Sequence, residues 1–224
     1  GGRTLYASAD MIANLTHRYG RPEWGITSVT IRGRPVAVRQ DVVRQTPWVK
    51  LRRFSREPLD LRRVRAPLAA PPLLVVAPLS GHYATLLRGT VEAMLPHADV
   101  YITDWADART VPLSKGHFDL DDYIDYVIEM LHALGEGTHV MAVCQPSVPV
   151  FAASALMEAR GDRFAPASMI LMGGPIDTRS NPTAVNKLAE AHGIEWFRDN
   201  VIMQVPWPHP GFMREVYPGF LQLS

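Results

Sequence analysis

The spacing of apolar positions divides the chain into an alternating region, a strand–helix region and a tail without a period. Residues 4–19 place Leu5, Ile12, Leu15 and Tyr19 at loosely helical intervals, and Gly20, Arg21 and Pro22 break that pattern. From Ile26 the period becomes two. Ile26, Ser28 and Thr30 alternate with Thr27, Val29 and Ile31; Gly33, Arg34 and Pro35 mark a turn, and Val36, Ala37 and Val38 resume, which predicts a β-hairpin. Residues 48–54 alternate again, Val49 and Leu51 against Lys50 and Arg52, and predict a strand with one charged face. After a proline-rich connector over 67–72, residues 73–77 are continuously apolar, as parallel strands covered on both faces are. A helix over 84–95 and a strand over 100–103, ending at Asp104 and Trp105, come next. Residues 118–134 predict the clearest helix, with Leu120, Ile124, Val127, Ile128, Leu131 and Leu134 on one face. Asp119, Asp121 and Asp122 crowd its first turn, where the helix dipole favours them, and Gly135 sits at its C-cap. As a helix start those carboxylates are fully explained. A strand over 138–143, a helix to about 160 and a strand over 167–172 follow. Strand and helix thus alternate from Leu73 to Gly173, which predicts a mostly parallel, doubly wound α/β sheet.

Beyond Gly173 the regularity fails. One short helix is expected over 182–191, and residues 194–224 are rich in Trp196, Phe197, Met203, Trp207, Phe212, Met213, Tyr217 and Phe220. Three regions result: 1–66, a basic helix and hairpin; 67–173, the α/β core; and 174–224, the aromatic tail.

Composition adds bounds. With 224 residues, 47% apolar and 20% charged, the chain has ample material for a core. A single cysteine excludes an internal disulfide, gives no support for a cysteine-based metal site and fits a reducing compartment. No signal peptide and no bilayer-spanning stretch are legible; the chain opens Gly-Gly-Arg without Met, so a removed leading segment stays open. The net charge of +1 conceals an asymmetry: residues 1–66 hold fourteen Lys/Arg against five Asp/Glu, and residues 67–224 nine against seventeen.

The candidate chemistry lies at 138–153. A β-branched, apolar run ends at Cys144; Gln145 and Pro146 follow, then an apolar segment of helix formers. Strand, tight turn and helix in that order make a nucleophile elbow, with Cys where most carry Ser. The turn pushes the nucleophile out at the end of the sheet, above the positive end of the next helix. The backbone N–H of Gln145 is placed to bind an oxyanion, and Pro146 suits a first helical position. Ala142 and Pro146 replace the glycines of G-x-S-x-G. The competing reading is a small buried hydrophobe at a strand end.

The segments VCQPSVPV (143–150), APLSGHYATLLRGTVEAMLP (77–96) and DVYITDWADARTVPLSKGHFDLDDYIDYV (99–127) resemble the intracellular polyhydroxyalkanoate (poly-3-hydroxybutyrate) depolymerases, and the likeness runs from about Leu5 to the C-terminus. The resemblance implies an α/β-hydrolase fold with an inserted lid, a cysteine nucleophile at Cys144 and no metal or organic cofactor. It implies oxyanion donors at the backbone of Gln145 and near Ser80, and a polyester substrate in cytoplasmic storage granules. Leu79, His82 and Trp105 become candidates to line the pocket, with capping or packing as the competing role for His82. The aromatic tail becomes the start of the lid, with ordinary core packing as its competitor. The polyhydroxyalkanoate synthases are more distant relatives, carrying glycines after the cysteine where this chain has Gln145 and Pro146. A synthase-type acyltransferase and a non-catalytic granule-surface module are therefore the rival functions.

A cysteine hydrolase also needs a base and an orienting carboxylate. In this fold both follow later strands. After Cys144 only His192 and His209 remain, both in the expected lid, and neither matches the family's catalytic His; no residue matches the catalytic Asp. The expectation is a chain that stops inside the lid, whose partner is a separate C-terminal fragment of the same protein. Asp177 and His209 as local substitutes are the weaker reading. The basic cluster Lys50, Arg52, Arg53, Arg56, Arg62, Arg63 and Arg65, with Trp48 and Phe54 nearby, suits an anionic granule surface. No helix-turn-helix or zinc-finger spacing supports nucleic acid. A solvated strand face pairing with the acidic half is the competing reading. Oligomeric state, homo-oligomer included, is left open.

Overall fold

The computed structural model describes residues 20–79 and 83–219; the helix expected over 4–19 lies outside them. Strand β1 (Ser28–Ile31) turns through Arg32 and Gly33, both at positive φ, into β2 (Arg34–Gln45), with Ile31 paired to Arg34. The two-residue loop falls one position earlier than the proline pattern suggested, and Pro35 sits inside β2. Strand β3 (Val49–Arg56) leads to a short helix, α1 (Pro58–Arg63). Glu57 caps α1 and Pro58 opens it; at six residues it is too short to leave a period in the sequence.

Strand β4 (Pro72–Val76), a 3₁₀ turn (Ala84–Leu87), helix α2 (Arg88–Met94) and β5 (Asp99–Trp105) come next. Helix α3 (Leu120–Leu134) is closed at its start by a reciprocal capping box between Asp119 and Asp122 and ends at Gly135. Then follow β6 (His139–Val143), α4 (Ser147–Ala159) and β7 (Ser168–Met172).

All seven strands form one sheet in the order β1-β2-β3-β5-β4-β6-β7. Neighbours among β5, β4, β6 and β7 pair in parallel, and β1 to β3 extend the sheet antiparallel beyond β5. Residues 28–56 therefore share a sheet with the core.

The continuous apolar run of β4 is explained by its position. Leu73 and Val75 face one layer with Leu87, Val91 and Leu95 around α2. Leu74 and Val76 face the other, with Val127 and Leu131 of α3 and Val150, Ala153 and Met157 of α4. Helices cover both faces of the parallel strands, so no polar alternation survives there. This is the α/β-hydrolase fold: a parallel sheet with an antiparallel extension and a strand–turn–helix elbow at the end of β6.

Helix α3 differs from expectation in which face is buried. Tyr123, Val127, Met130 and Leu131 are buried, Ile124, Ile128 and Leu134 are half-buried, and Leu120 is 54% exposed. Leu120 directly follows the N-cap, and the buried stripe is centred instead on Tyr123, whose ring meets Trp105 at 4.6 Å.

After β7 come α5 (Ala184–Ala191), capped by Thr183 and Asn186, then α6 (Ile194–Asn200) and a small hairpin of β8 (Met203–Gln204) and β9 (Glu215–Val216). Helix α6 and the hairpin have no sequence counterpart in a period. No helix among the described residues is long and apolar enough to cross a membrane.

Candidate active site

Parallel strands end together. Val76 of β4 lies beside Ala142 of β6, and Val143 beside Met172 of β7, so the segments after β4, β6 and β7 meet at one end of the sheet. Cys144 is the first residue past β6. It is exposed, and its φ of 68° lies in the left-handed region. A side chain with a Cβ enters that region at a cost of roughly 1–2 kcal/mol. Four backbone bonds hold the turn: Cys144 N–H to Met172 O (2.8 Å), Ser147 N–H to Cys144 O (3.0 Å), Val148 N–H to Gln145 O (3.1 Å) and Val150 N–H to Pro146 O (3.0 Å). Gly174 fits tightly behind the turn: a Cβ there would collide with the side chain of Ser147 and stand 3.0 Å from Cys144 O. Ser147 itself is fully buried, with no partner for its Oγ among the described residues.

Gln145 is exposed beside Cys144, and among the described residues no acceptor takes its N–H. Pro146 caps α4 without a side-chain hydrogen bond, and α4 starts at Ser147.

Of the other expected site residues, Leu79 is 37% exposed just past β4, at the Cys144 end of the sheet. Ser80 and His82 lie outside the described residues. Trp105 ends β5 at the same end and is half-buried. Its indole N–H donates to Ala77 O at 2.9 Å, and its ring packs on Phe118, Tyr123 and Tyr126. Ala77 O also accepts from the Tyr123 hydroxyl (3.3 Å), and Ala77 N–H donates to Thr103 Oγ1 (2.9 Å). Burial pushes the Tyr123 phenol up, so it stays a neutral donor. The backbone at Ala77, just past β4, is therefore held by three side chains.

Beneath this end lies a buried charge that the sequence pattern does not flag. Asp104 of β5, with a side chain 1% exposed, pairs with both Arg52 of β3 and Arg21. Arg53 and Arg56 pair with Asp99, at 3.0 and 3.6 Å. Three arginines of the basic cluster thus have acidic partners within the sheet.

The tail reaches the same end through Arg214. This guanidinium, 7% exposed, donates to the carbonyls of Val111 (3.1 Å from both Nε and Nη2), Pro112 (2.8 Å) and Gly116 (2.8 Å), and lies 4.6 Å from the Trp48 ring. Gly211 N–H donates to Arg109 O at 2.8 Å, and a Cβ at Gly211 would come within 2.7 Å of Ala108 O. The segment after β7 is thereby fastened to the loop after β5, while Trp207, Phe212 and Met213 stay exposed.

No histidine bonds to Cys144 among the described residues. His192 stacks on Trp196 at 4.1 Å. Asp177 forms an exposed local pair with Arg179, whose hydrogen bonds hold its carboxyl below the ordinary range. His209 is half-buried, near enough to Asp107 to favour its charged form. Burial pushes the Asp107 carboxyl up, but hydrogen bonds from Arg109 outweigh it and hold the group low. His117, Asp119 and Asp122 place ligand-type atoms within 4.8 Å of one another, but these carboxylates are already engaged in capping α3.

Residues 173–224 match the protein-family model described as PHB de-polymerase C-terminus. That stretch is less than half of the chain and lies beyond the three segments that carry the depolymerase resemblance. No curated protein matches the chain. Among solved structures, a proline iminopeptidase-related protein of Thermus thermophilus is similar at 18% identity, over 61% of this chain and 45% of its own, with a TM-score of 0.41. The naproxen esterase of Bacillus subtilis is similar at 14% identity, over 60% and 42%, with a TM-score of 0.40. An N-formylmaleamic acid deformylase of Pseudomonas putida is similar at 16% identity, over 59% and 46%, with a TM-score of 0.39. The alignments cover less than half the length of each of these structures.

Proposed function

We propose that this chain is the part of a poly-(R)-3-hydroxyalkanoate depolymerase that carries the nucleophile. The observation behind the reading is an exposed cysteine held at positive φ on a strand–turn–helix elbow, beside a backbone N–H that no acceptor takes among the described residues. Strain of this kind persists only where surrounding structure imposes it, and it gathers at functional sites. The family match over 173–224 supports the polyester as substrate.

In the proposed reaction the Cys144 thiol gives its proton to a base, and the sulfur attacks the ester carbonyl. The tetrahedral oxyanion is bound by Gln145 N–H and a donor near Ser80. Collapse breaks the C–O bond, and the departing hydroxyl end of the polymer takes the proton. Water then cleaves the thioester, releasing the 3-hydroxyacyl acid and restoring the thiol. The base and its orienting carboxylate come from polypeptide outside this chain. Strand β7 supports that assignment: Ile170 and Met172 are 41% and 47% exposed, whereas a parallel strand in mid-sheet is covered on both faces. Coenzyme A in place of water is the alternative acceptor. The tail over 174–219 serves as a lid whose exposed aromatic side chains meet the apolar polymer.

The test uses the complete protein and short 3-hydroxybutyrate oligomers, with product acids measured by chromatography. Cys144→Ala should lower turnover by at least about 1,000-fold. Cys144→Gly should do the same while keeping or raising stability, because glycine relieves the backbone at φ 68°. Retained activity in either variant ends the cysteine mechanism. Steady release of coenzyme A from hydroxybutyryl-coenzyme A, with growth of polymer, would instead identify a synthase-type enzyme.

A further inference from the structure

A concentration of arginines lies at the end of the sheet away from Cys144. Arg32 and Arg34 from the β1–β2 turn, with Arg63 and Arg65 from the end of α1, line a pocket of about 340 Å³ whose remaining wall is Val64. Strand register puts it at the opposite end of the sheet from Cys144. Val49 pairs with Trp105 at the Cys144 end, Phe54 with Val100 further back, Arg56 with Val38 beyond that, and the hairpin turn lies further still.

Three observations set these arginines apart from the rest of the basic third. First, their charge is largely uncompensated. Arg52, Arg53 and Arg56 have Asp104 and Asp99, whereas of the four pocket arginines only Arg63 has an acidic partner among the described residues, Asp60 at 3.2 Å. Second, the base is rigid. Ile31 and Val36 of the hairpin pack on Leu61 and Val64 of α1, Asp60 accepts from Ala37 N–H at 3.0 Å, and Arg32 donates to Arg65 O. Third, Arg32 and Arg65 both hold left-handed backbone, at φ 51° and 56°. A two-residue hairpin turn at these angles prefers Asn or Gly, and α1 exits through Arg65 where Gly is the cheaper residue. Arginine at both strained positions sets two guanidinium groups at one concavity.

We propose that this pocket binds a phosphate group. Several guanidinium groups around one concavity match the charge and the planar, multiple-acceptor geometry of a phosphate, and arginine is the residue type that makes paired bonds to it. The group comes from a soluble phosphate ester or from a phospholipid headgroup; the chemistry recognised is the same.

The experiment titrates inorganic pyrophosphate into the whole chain by calorimetry, and in parallel sediments the chain with phosphatidylglycerol and phosphatidylcholine vesicles. Two variants, Arg32→Gly and Arg65→Gly, remove one guanidinium each while relieving left-handed backbone; Arg65→Gly should melt no lower than the parent, and Arg32→Gly, which also gives up its bond to Arg65 O, is checked for a retained cooperative melt. A double variant, Arg34→Gln with Arg63→Gln, tests the other two side chains, and Lys187→Ala is the control. Saturable pyrophosphate binding, weakened about tenfold by each glycine variant, more by the double variant and not by the control, is the expected result. Binding confined to phosphatidylglycerol vesicles, with the same ranking of variants, assigns the lipid headgroup as the source. Binding equal in parent and pocket variants, or absent from both arms, overturns the proposal.

Discussion

Arg214 gives the most quantitative test of how the tail is held to the core. Its guanidinium makes four hydrogen bonds to three carbonyls of the 111–116 loop and lies over Trp48, almost wholly buried. A hydrogen bond from a charged donor contributes roughly 1.5–3 kcal/mol net, and the contact with Trp48 about 0.5–2 kcal/mol. Against this stands the cost of taking a guanidinium out of water, several kcal/mol for an ion without a carboxylate partner. In Arg214→Ala the carbonyls of Val111 and Pro112 border a pocket of about 420 Å³, so water can reach part of what the guanidinium leaves. The expected net loss is about 2–4 kcal/mol, a fall in urea midpoint of about 1–2 M for a slope near 2 kcal/mol/M. Arg214→Lys should recover less than half of this, because one ammonium cannot span three carbonyls.

Hydrogen exchange locates the effect. Gly211 N–H and Met213 N–H, bonded to Arg109 O and Val205 O, should lose protection in Arg214→Ala, while the paired amides of β4 and β6 keep theirs at times short of global unfolding. A loss under about 0.5 kcal/mol, with unchanged exchange at Gly211, would refute the clamp.

Gly174→Ala should destabilise by about 1–3 kcal/mol through its collision with Ser147 and change the rate at which Cys144 reacts with a disulfide reagent, since the same contact supports the elbow. Asp104→Asn keeps shape but removes the charge facing Arg52 and Arg21; it should cost about 3 kcal/mol in urea denaturation, with little relief from added salt. The Asp162 carboxyl is held below its ordinary value by His132 and then by Phe164 N–H. A lowered folded value means that the stabilisation is present above the unfolded carboxyl range and disappears as pH falls through the folded value. Asp162→Asn should thus be less stable than the parent at about pH 6, and the difference should shrink as pH falls below the ordinary carboxyl range.

The core and the elbow were legible because both leave local marks. Burial on both faces writes a continuous apolar run at 73–77, and a strand–turn–helix elbow leaves a strand, a small turn and a helix in fixed order around Cys144. What escaped depends on contacts between distant segments. Arg214 reads as one more charge in an aromatic tail; its role exists only because the 111–116 carbonyls converge on it from about a hundred residues away. Leu120 carries the right spacing for the buried face of α3, yet it lies at the helix mouth, where Tyr123 and Trp105 take the interior. Helices α1 and α6 are six and seven residues long, too short for periodicity to reveal.

The charge asymmetry shows how the two kinds of information combine. From the sequence, seven of the fourteen basic residues in the first 66, from Lys50 to Arg65, read either as a cluster facing an anionic surface or as a strand face pairing with the acidic half. Strand pairing divides them by destination. Because β3 lies against β5, Arg52 meets Asp104, and Arg53 and Arg56 meet Asp99, so this part of the positive charge is spent joining the basic and acidic halves into one sheet. Because β1 and β2 continue away from the Cys144 end, Arg32 and Arg34 arrive beside Arg63 and Arg65, where no acidic strand lies alongside. A surface that attracted phosphate through Arg32 and Arg65 would therefore do so with the elbow facing away from it. Chemistry at Cys144 and anion binding at the arginine pocket then separate by mutation: Cys144→Ala should leave pyrophosphate affinity unchanged, and Arg65→Gly should leave the thiol's rate with a disulfide reagent unchanged.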